Sequence, residues 1–273
     1  MTRLSLLAAA IVGLATTLPA QRPGVDTLRI DGSNGVMPLA RAVGAAFQAH
    51  DPSVVVTFGG GLGGKARLEA LAARSIHIAL ASHGLDMADL AKQGMAAHRV
   101  AVSPVVFAVH PSVTVASLSA GQLCDVFSGQ ASTWASFGGA QLRLMAILRP
   151  EAEVDTEVIR DGIACLKGVA VPPSVAVVET TDDMARAIQS NVGAIGVITA
   201  TVVQQNEGRM RAIGVDGVAP TPDEVTRGRY RLVRPAYFVS AARPPLIVER
   251  FLAFARSPAG QAVIRASGAL PTP

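Results

Sequence analysis

The feature that most constrains this chain is a strand-like run that breaks into glycines and then becomes helical, between Val54 and Arg74. Residues 54–58 are β-branched or aromatic and have the length of a strand, and five of the six residues 59–64 are glycine. The next ten residues carry leucine and alanine at helical spacing, so the pattern predicts a strand, a glycine loop and a helix. Backbone N–H groups at such a helix start, together with the helix dipole, favour an anion.

Three classes of protein use such a loop, and a glycine-rich turn without a ligand is a fourth interpretation. A P-loop fits from Gly59 to Lys65 but needs Ser or Thr next, where this chain has Ala66. A dinucleotide-binding fold also fits the glycine spacing, but the next strand ends in Ser82-His83 where that fold needs an acidic residue. Asp86 follows shortly, so this objection is the weaker one. The third class is an extracytoplasmic solute-binding protein, whose loop wraps a free oxyanion.

The N-terminus has the pattern of a secretory signal peptide, which we place at residues 1–20. Arg3 is followed by an uncharged stretch, Leu4 to Leu18, that is too short to span a bilayer comfortably, and Ala20 is a small residue at the cut. An N-terminal membrane anchor is the alternative. No cysteine follows the apolar stretch, so we expect no lipid anchor and a periplasmic or extracellular protein. ATP and NAD are scarce outside the cytoplasm, which counts against both nucleotide-binding classes.

Composition and residue spacing argue against several partners. The formal net charge is +4, but no Lys/Arg run and no interleaving with aromatic residues suggests nucleic acid. Four histidines show no metal-ligand spacing, namely His50, His77, His98 and His110. No nucleophile and base stand at a recognisable spacing, so we expect no metal, no cofactor and no enzyme.

The chain has two cysteines, Cys124 and Cys165. An exported protein could pair them in a disulfide. Two buried free thiols are the favoured alternative at this stage.

Strands alternate with helices along the chain, which is typical of an α/β protein, and two long crossings indicate two lobes. A second strand–turn–helix unit precedes the glycine loop, with Ser33 or Asn34 as the N-cap of a helix over residues 36–49. A β-rich segment near residues 99–110 crosses into the second lobe, and a turn at Gly193 enters the strand that carries the chain back. We therefore expect residues 21–103 plus 193–273 to form a discontinuous first lobe and residues 104–192 the second.

Several segments together carry a family resemblance: Leu123–Gly129 through Trp134 to Gly138-Gly139, Gly193–Gly196, Tyr230–Pro235, Phe251–Gln261, and the two loops Gly32-Ser33 and Gly59–Gly61. From about Leu28 to Pro271, the chain resembles the phosphate-binding-protein-like family of periplasmic solute receptors. The resemblance implies an α/β, two-lobed periplasmic-binding-protein-like fold of type II. It also implies an oxyanion held in a hinged cleft by helix N-termini, hydroxyls and an arginine.

Carried onto this sequence, the resemblance implies a ligand-binding set. Its members are Ser33, Asn34, Gly60, Gly61, Leu62, Gly63, Ser82 and His83 in the first lobe, and Arg149, Asp155 and Thr156 in the second. Arg149 could hold an oxyanion through both guanidinium nitrogens, the alternative being a surface arginine at a strand end. His83 stands where the family commonly has Arg or Asp; it could donate to an anion or be structural.

The chain departs from the family pattern shortly after Arg149. The family usually has Ser-Gly-Thr there, and this chain has the acidic stretch Glu151 to Thr156. Carboxylates in the cleft would repel a phosphate. In the alternative interpretation they stabilise the start of the next helix and point away from the cleft.

The sequence therefore predicts extracytoplasmic capture of a small oxyanion, phosphate first, without chemical turnover. Hinge closure would present the loaded receptor, which we expect to be a monomer, to a membrane transporter or sensor. The alternative is an interaction module that kept the fold and lost the phosphate grip.

Overall fold

The structure, a computed structural model, describes residues 25–168 and 170–272. The predicted signal peptide, residues 1–20, lies outside the described residues. Within the described part of the chain, no helix combines the length and apolar character needed to cross a bilayer.

The described residues form eleven strands and ten α-helices. The strands are β1 (Asp26–Gly32), β2 (Val54–Phe58), β3 (Ile78–Ala81), β4 (Met95–Val109), β5 (Ser117–Leu118), β6 (Met145–Leu148), β7 (Ala176–Val177), β8 (Ala194–Thr199), β9 (Arg211–Val215), β10 (Val233–Ala241) and β11 (Leu270–Pro271). The helices are α1 (Met37–His50), α2 (Gly64–Ala72), α3 (Met87–Lys92), α4 (Ala120–Phe127), α5 (Val154–Gly162), α6 (Thr181–Ser190), α7 (Ala200–Gln205), α8 (Pro222–Thr226), α9 (Leu246–Arg256) and α10 (Pro258–Ala266). Short 3-10 turns cover Trp134–Phe137 and Ala164–Leu166.

Two sheets share the long strand β4. In the first sheet β2, β1 and β3 are parallel neighbours, and β10 runs antiparallel between β3 and β4. In the second sheet β4 pairs antiparallel with β8, and β6 and β7 continue in parallel. β4 pairs with β10 up to Pro104 and with β8 from Val105 onward, so a single strand crosses from one lobe to the other.

Each lobe has its own apolar core, and the periodicity of the sequence explains the first one. Leu28 and Ile30 of β1 pack in one cluster with Val43 and Phe47 of α1. Alternate residues of a strand share one face, and helix residues three or four apart share another, so these two apolar faces meet. The second lobe buries a separate cluster around Trp134.

The strand pairing bears on where the chain returns to the first lobe, which the sequence placed at Gly193. β8 pairs with residues 105–109 of β4 and with β6, so it is part of the second sheet. Tyr230 and Leu232 also pack in the second lobe's core. We propose that the second lobe extends to about residue 232 and that β10 is the returning strand.

Cys124 and Cys165 form a disulfide that joins α4 to the short turn after α5. The expectation of two free thiols was therefore wrong. The two cysteines are far apart in sequence, and only the packing of α4 beside that turn brings their backbones close enough to pair.

Candidate functional site

The centre of the candidate site is Arg234, whose guanidinium is buried at the start of β10 with 2 % of its side chain exposed. Its Nε donates to Ser82 Oγ (2.9 Å), its Nη2 donates to Ser33 Oγ (3.2 Å), and its Nη1 donates to the Asp155 carboxylate (2.5 Å). The Ser82 hydroxyl in turn donates to the backbone oxygen of Pro235 (2.5 Å). Ser33 and Ser82, both predicted from the sequence, thus meet on an arginine that was not predicted.

The turn that leads from β1 into α1 surrounds this guanidinium. The Ser33 backbone N–H donates to Leu80 O (2.9 Å), which ties the turn to β3. A Cβ at Gly35 would lie 2.2 Å from Nη1 of Arg234, so only glycine allows the arginine to lie against the turn. The positive end of the α1 dipole and the guanidinium both favour negative charge at this place.

Asp155, in the first turn of α5, supplies that negative charge from the second lobe. Its side chain is 1 % exposed. Oδ1 accepts from Arg234, whereas Oδ2 has no hydrogen-bond partner among the described residues. A buried carboxylate oxygen without a partner costs free energy, so the aspartate is held mainly by its charge partner. The protein's own carboxylate therefore neutralises Arg234 in this conformation.

A second buried cation, Arg67 of α2, lies close to this pair. Its Nη2 donates to the backbone oxygen of His83 (3.2 Å), and its Nε has no partner among the described residues. Burial lowers the pKa of Arg67, and the charge of Arg234 lowers it further. Arg67 therefore adds a second positive charge beside Arg234, and among the described residues it forms no ion pair within 4.0 Å.

The glycine loop after β2 is tied to the protein itself by Asp31. The buried Asp31 carboxylate accepts from the backbone N–H groups of Gly32 (2.7 Å) and Gly61 (2.9 Å). The N–H of Leu62 donates to Gly32 O (3.0 Å). In this conformation the N–H groups of Gly61 and Leu62 are therefore used within the first lobe. The space that a Cβ at Gly60 would occupy is open, and that at Gly63 is open too.

Arg149, the predicted anion clamp, lies at the end of β6 and has 1 % of its side chain exposed. Its Nη1 donates to Thr181 Oγ1 (3.2 Å), and its Nη2 donates to Glu179 O (2.9 Å) and contacts the Glu153 carboxylate (3.0 Å). Nε has no partner among the described residues. The alternative interpretation of Arg149 as a surface residue is wrong, and its anion-binding role stays a prediction.

The acidic stretch after Arg149 divides its charges among three arginines. Glu151 pairs with Arg160, Glu153 with Arg149, and Asp155 with Arg234. Of these three carboxylates only that of Asp155 enters the site around Arg234. The alternative that acidic side chains enter the cleft therefore applies to Asp155, and the alternative that they point away from it applies to Glu151 and Glu153.

The other predicted ligand residues lie around this centre. Thr156 is buried and donates its hydroxyl to Arg149 O (3.1 Å). His83 Nε2 lies 3.2 Å from the Glu157 carboxylate of α5, which makes a second contact between the lobes. Asn34 lies so close to the glycine loop that a Cβ at Gly61 would be 2.0 Å from its Oδ1.

A cavity of about 80 Å³ remains open between the N-termini of α1 and α6. Asn34, Arg41 and Gly60 line it on one side, and Thr181 and Asp182 line it on the other. Its size suits a few waters or a small ion. Among the described residues no group of His, Cys, Asp or Glu side chains has the arrangement of a metal site.

These features define an α/β protein with two lobes and a charged cleft between them. A family model described as the PBP superfamily domain matches residues 18–259. The chain therefore belongs to the PBP superfamily, and the resemblance inferred from the sequence is confirmed.

The relatives agree with this assignment. The phosphate-binding protein PstS of Bacillus subtilis (strain 168) is 22% identical over 240 residues, which cover 85% of this chain and 75% of that protein. A solved structure from Clostridium perfringens, described as a phosphate ABC transporter substrate-binding protein with bound phosphate, is 21% identical with a TM-score of 0.76, covering 91% of this chain and 100% of that one. An ABC-type phosphate transport receptor from Vibrio cholerae is 22% identical with a TM-score of 0.61, covering 90% and 100%. At these identities the structural likeness confirms the two-lobed fold and does not identify the ligand.

Sequence reasoning missed three charged residues of the site: Arg234, Arg67 and Asp31. Arg234 interrupts an apolar β segment, and a charged side chain in such a segment is a sign of a buried, partnered charge. Asp31 lies at the carboxyl end of β1, next to the turn, where a carboxylate can accept from neighbouring backbone N–H groups. Arg67 had no distinguishing signal, because an arginine in a helix is most often exposed.

Proposed function

We propose that this protein captures a small oxyanion, phosphate first, between its two lobes, outside the cytoplasm and without chemical turnover. The observation that carries the proposal is the arrangement at Arg234, where a buried guanidinium, the hydroxyls of Ser33 and Ser82, and the start of α1 converge. Charge-assisted donors at a helix N-terminus are the usual means by which proteins hold phosphate-like anions. The relatives named above, by their descriptions, bind or transport phosphate.

Asp155 gives the capture step a specific form. Because Arg234 binds Ser33 and Ser82 in the first lobe and Asp155 in the second, the pair closes the cleft without a ligand. An anion that reaches Arg234 must displace the Asp155 carboxylate or share the arginine with it. We infer that hinge opening separates the pair and that the incoming oxyanion replaces Asp155 on Arg234.

The hinge step has a direct test by small-angle X-ray scattering. The ligand-free protein should be compact, and the Asp155→Asn variant without ligand should show a larger radius of gyration, because the ionic contact between the lobes is gone. The Glu153→Gln variant is the matched control, since Glu153 pairs with Arg149 inside the second lobe. Equal radii for wild type and Asp155→Asn would contradict the closing role of the pair.

Binding itself is tested by isothermal titration calorimetry on the mature chain after exhaustive removal of phosphate. The panel is phosphate, arsenate and sulfate, and we expect saturable one-site heat with phosphate. A variant with both Arg234→Met and Asp155→Leu removes the buried pair together, which avoids an unpaired buried charge. It should bind phosphate at least about a hundredfold more weakly, a loss of roughly 2.7 kcal/mol. Retained affinity in that variant would place the anion elsewhere.

The second candidate function is an interaction module that no longer binds phosphate. The observation that favours it is the occupation of Arg234 by Asp155, which satisfies the arginine without any ligand. Absence of saturable heat with every member of the panel would support this candidate and refute capture. In the capture proposal the loaded protein, a monomer, binds to a membrane transporter or sensor. Co-purification of the phosphate-loaded protein with the membrane fraction tests this step.

A further inference from the structure

A second pocket lies at the opposite end of the first sheet from Arg234. Ser33 and Ser82 follow the carboxyl ends of β1 and β3, whereas this pocket lies beside Ile76-His77, where β3 is about to begin, and beyond Ala241, where β10 ends. Its volume is about 460 Å³, which is within the range of pockets that hold small organic ligands. Apolar side chains form much of its surface, and Arg29, Arg74, Arg243 and His77 supply its polar groups.

The positive charges of this pocket have no acidic partner in the part of the chain that the structure describes. Arg29 donates from Nε to Ser75 O (2.7 Å) and from Nη2 to Arg74 O (3.1 Å), so backbone oxygens are the acceptors that hold its guanidinium in place among the described residues. Among the described residues no carboxylate lies within 4.0 Å of the guanidinium of Arg29, Arg74 or Arg243. Arg250 of the same lobe, by contrast, is paired with both Asp26 and Asp51.

The contact between Arg29 and His77 places two donors face to face. The backbone N–H of Arg29 donates to His77 Nδ1 (3.0 Å), so the neutral imidazole must carry its proton on Nε2. Burial lowers the pKa of His77, and the charge of Arg29 lowers it further, which favours the neutral ring. His77 Nε2 then lies 3.4 Å from Nη2 of Arg29, and a guanidinium nitrogen can only donate. Two N–H groups therefore meet with no acceptor between them among the described residues, and an anionic oxygen placed there would accept from both.

We propose that this pocket is a second binding site, which takes a small organic anion with an apolar body. The carboxylate or phosphate group of this ligand accepts from Arg29 and His77, and the charges of Arg74 and Arg243 attract it further. The apolar body of the ligand lies on Leu71, Ile76 and Pro245. The site does not depend on anion capture at Arg234, because it shares no residue with that centre.

The probe that tests this site is 2-naphthoate, with 2-naphthalenemethanol as its uncharged analogue. In a ¹H–¹⁵N NMR titration of the full mature chain, naphthoate should shift the backbone amides of Ile76, His77 and Ala241. It should bind at least about tenfold more tightly than the alcohol, because only the carboxylate satisfies the facing donors. Naphthoate shifts confined to Ser33, Ser82 and their neighbours, or equal affinities for acid and alcohol, would overturn the proposal.

Two variants and one added ion complete the design. Arg74→Gln together with Arg243→Gln should measurably reduce the preference for the acid over the alcohol, because these two arginines add attraction to the carboxylate that Arg29 and His77 bind. Arg265→Gln, an exposed arginine in α10, is the matched control and should keep it. Inorganic phosphate at a concentration that saturates the Arg234 centre should leave the naphthoate shifts in place. If the double variant keeps the wild-type preference for the acid over the alcohol, the proposed anion site in this pocket is wrong, whatever the outcome of the phosphate titration.

Discussion

Replacing Asp155 by asparagine should strengthen oxyanion binding at Arg234. The side chain keeps its shape and one oxygen for Nη1 of Arg234, but the negative charge that competes with a ligand is gone. The change therefore isolates charge from packing. In the wild type, an anion that binds Arg234 must displace Asp155 or share the arginine with it, and this costs free energy. The variant avoids that cost, so its affinity for the anion should be higher.

The magnitude follows from the distances at the site. Two unit charges about 4 Å apart interact by roughly 4 kcal/mol at an effective dielectric of 20. An oxyanion on Arg234 and the Asp155 carboxylate would be separated by little more than this, since both contact one guanidinium. Hinge opening and entering water reduce the penalty, so we expect a gain of at least about tenfold, or 1.4 kcal/mol, in phosphate affinity.

Calorimetry measures the change in phosphate affinity, and thermal denaturation measures the change in stability of the ligand-free protein. The ligand-free variant should melt below wild type, since Arg234 loses its charged partner, and phosphate should raise its melting temperature more than it raises that of wild type. Glu153→Gln should change phosphate affinity by no more than about twofold, because its partly exposed carboxylate contacts Arg149. Equal or weaker phosphate binding by Asp155→Asn would refute the reasoning, and would mean that the carboxylate itself contacts the ligand.

Three further predictions concern the supports of the site and the fold. Gly35→Ala should weaken phosphate binding at least about tenfold by calorimetry, because the new methyl would meet Arg234 and displace it. Replacing Cys124 and Cys165 by serine should lower the free energy of unfolding by about 2–4 kcal/mol in denaturant titrations, and reductant should then have no additional effect. Burial, and then the charge of Arg256, lower the pKa of His98, so the unfolded state binds more protons below about pH 6.5. Stability should therefore fall as the pH drops through that range, and less steeply in His98→Gln.

Local pattern was sufficient for much of the fold but not for the partners of its charges. The β-branched run that begins at Val54 and the glycines after it predict a strand and a loop. The apolar face that ends at Phe47 predicts a helix, and both predictions depend only on residues that are close in sequence. Arg234 could not be placed beside Ser82 in this way, because 152 residues separate them and only the antiparallel pairing of β10 with β3 joins them. The acidic stretch indicated that carboxylates lie near the expected site. Which of them pairs with Arg234, Asp155 or Glu153, depends on how α5 faces the other lobe, and the sequence pattern does not contain that orientation.

Two of the buried arginines at the cleft, Arg149 and Arg234, differ in a way that decides which one can exchange a partner for a ligand. The hydrogen-bond and ion-pair partners of Arg149 are Thr181, Glu179 and Glu153, and all of them belong to the second lobe. A rigid movement of the lobes leaves those contacts unchanged. Arg234 is bound by hydroxyls of its own lobe and by a carboxylate of the other, so opening the hinge removes only its negative partner. A buried guanidinium that loses its counter-ion while keeping its hydroxyl partners is the state that most strongly favours a free anion.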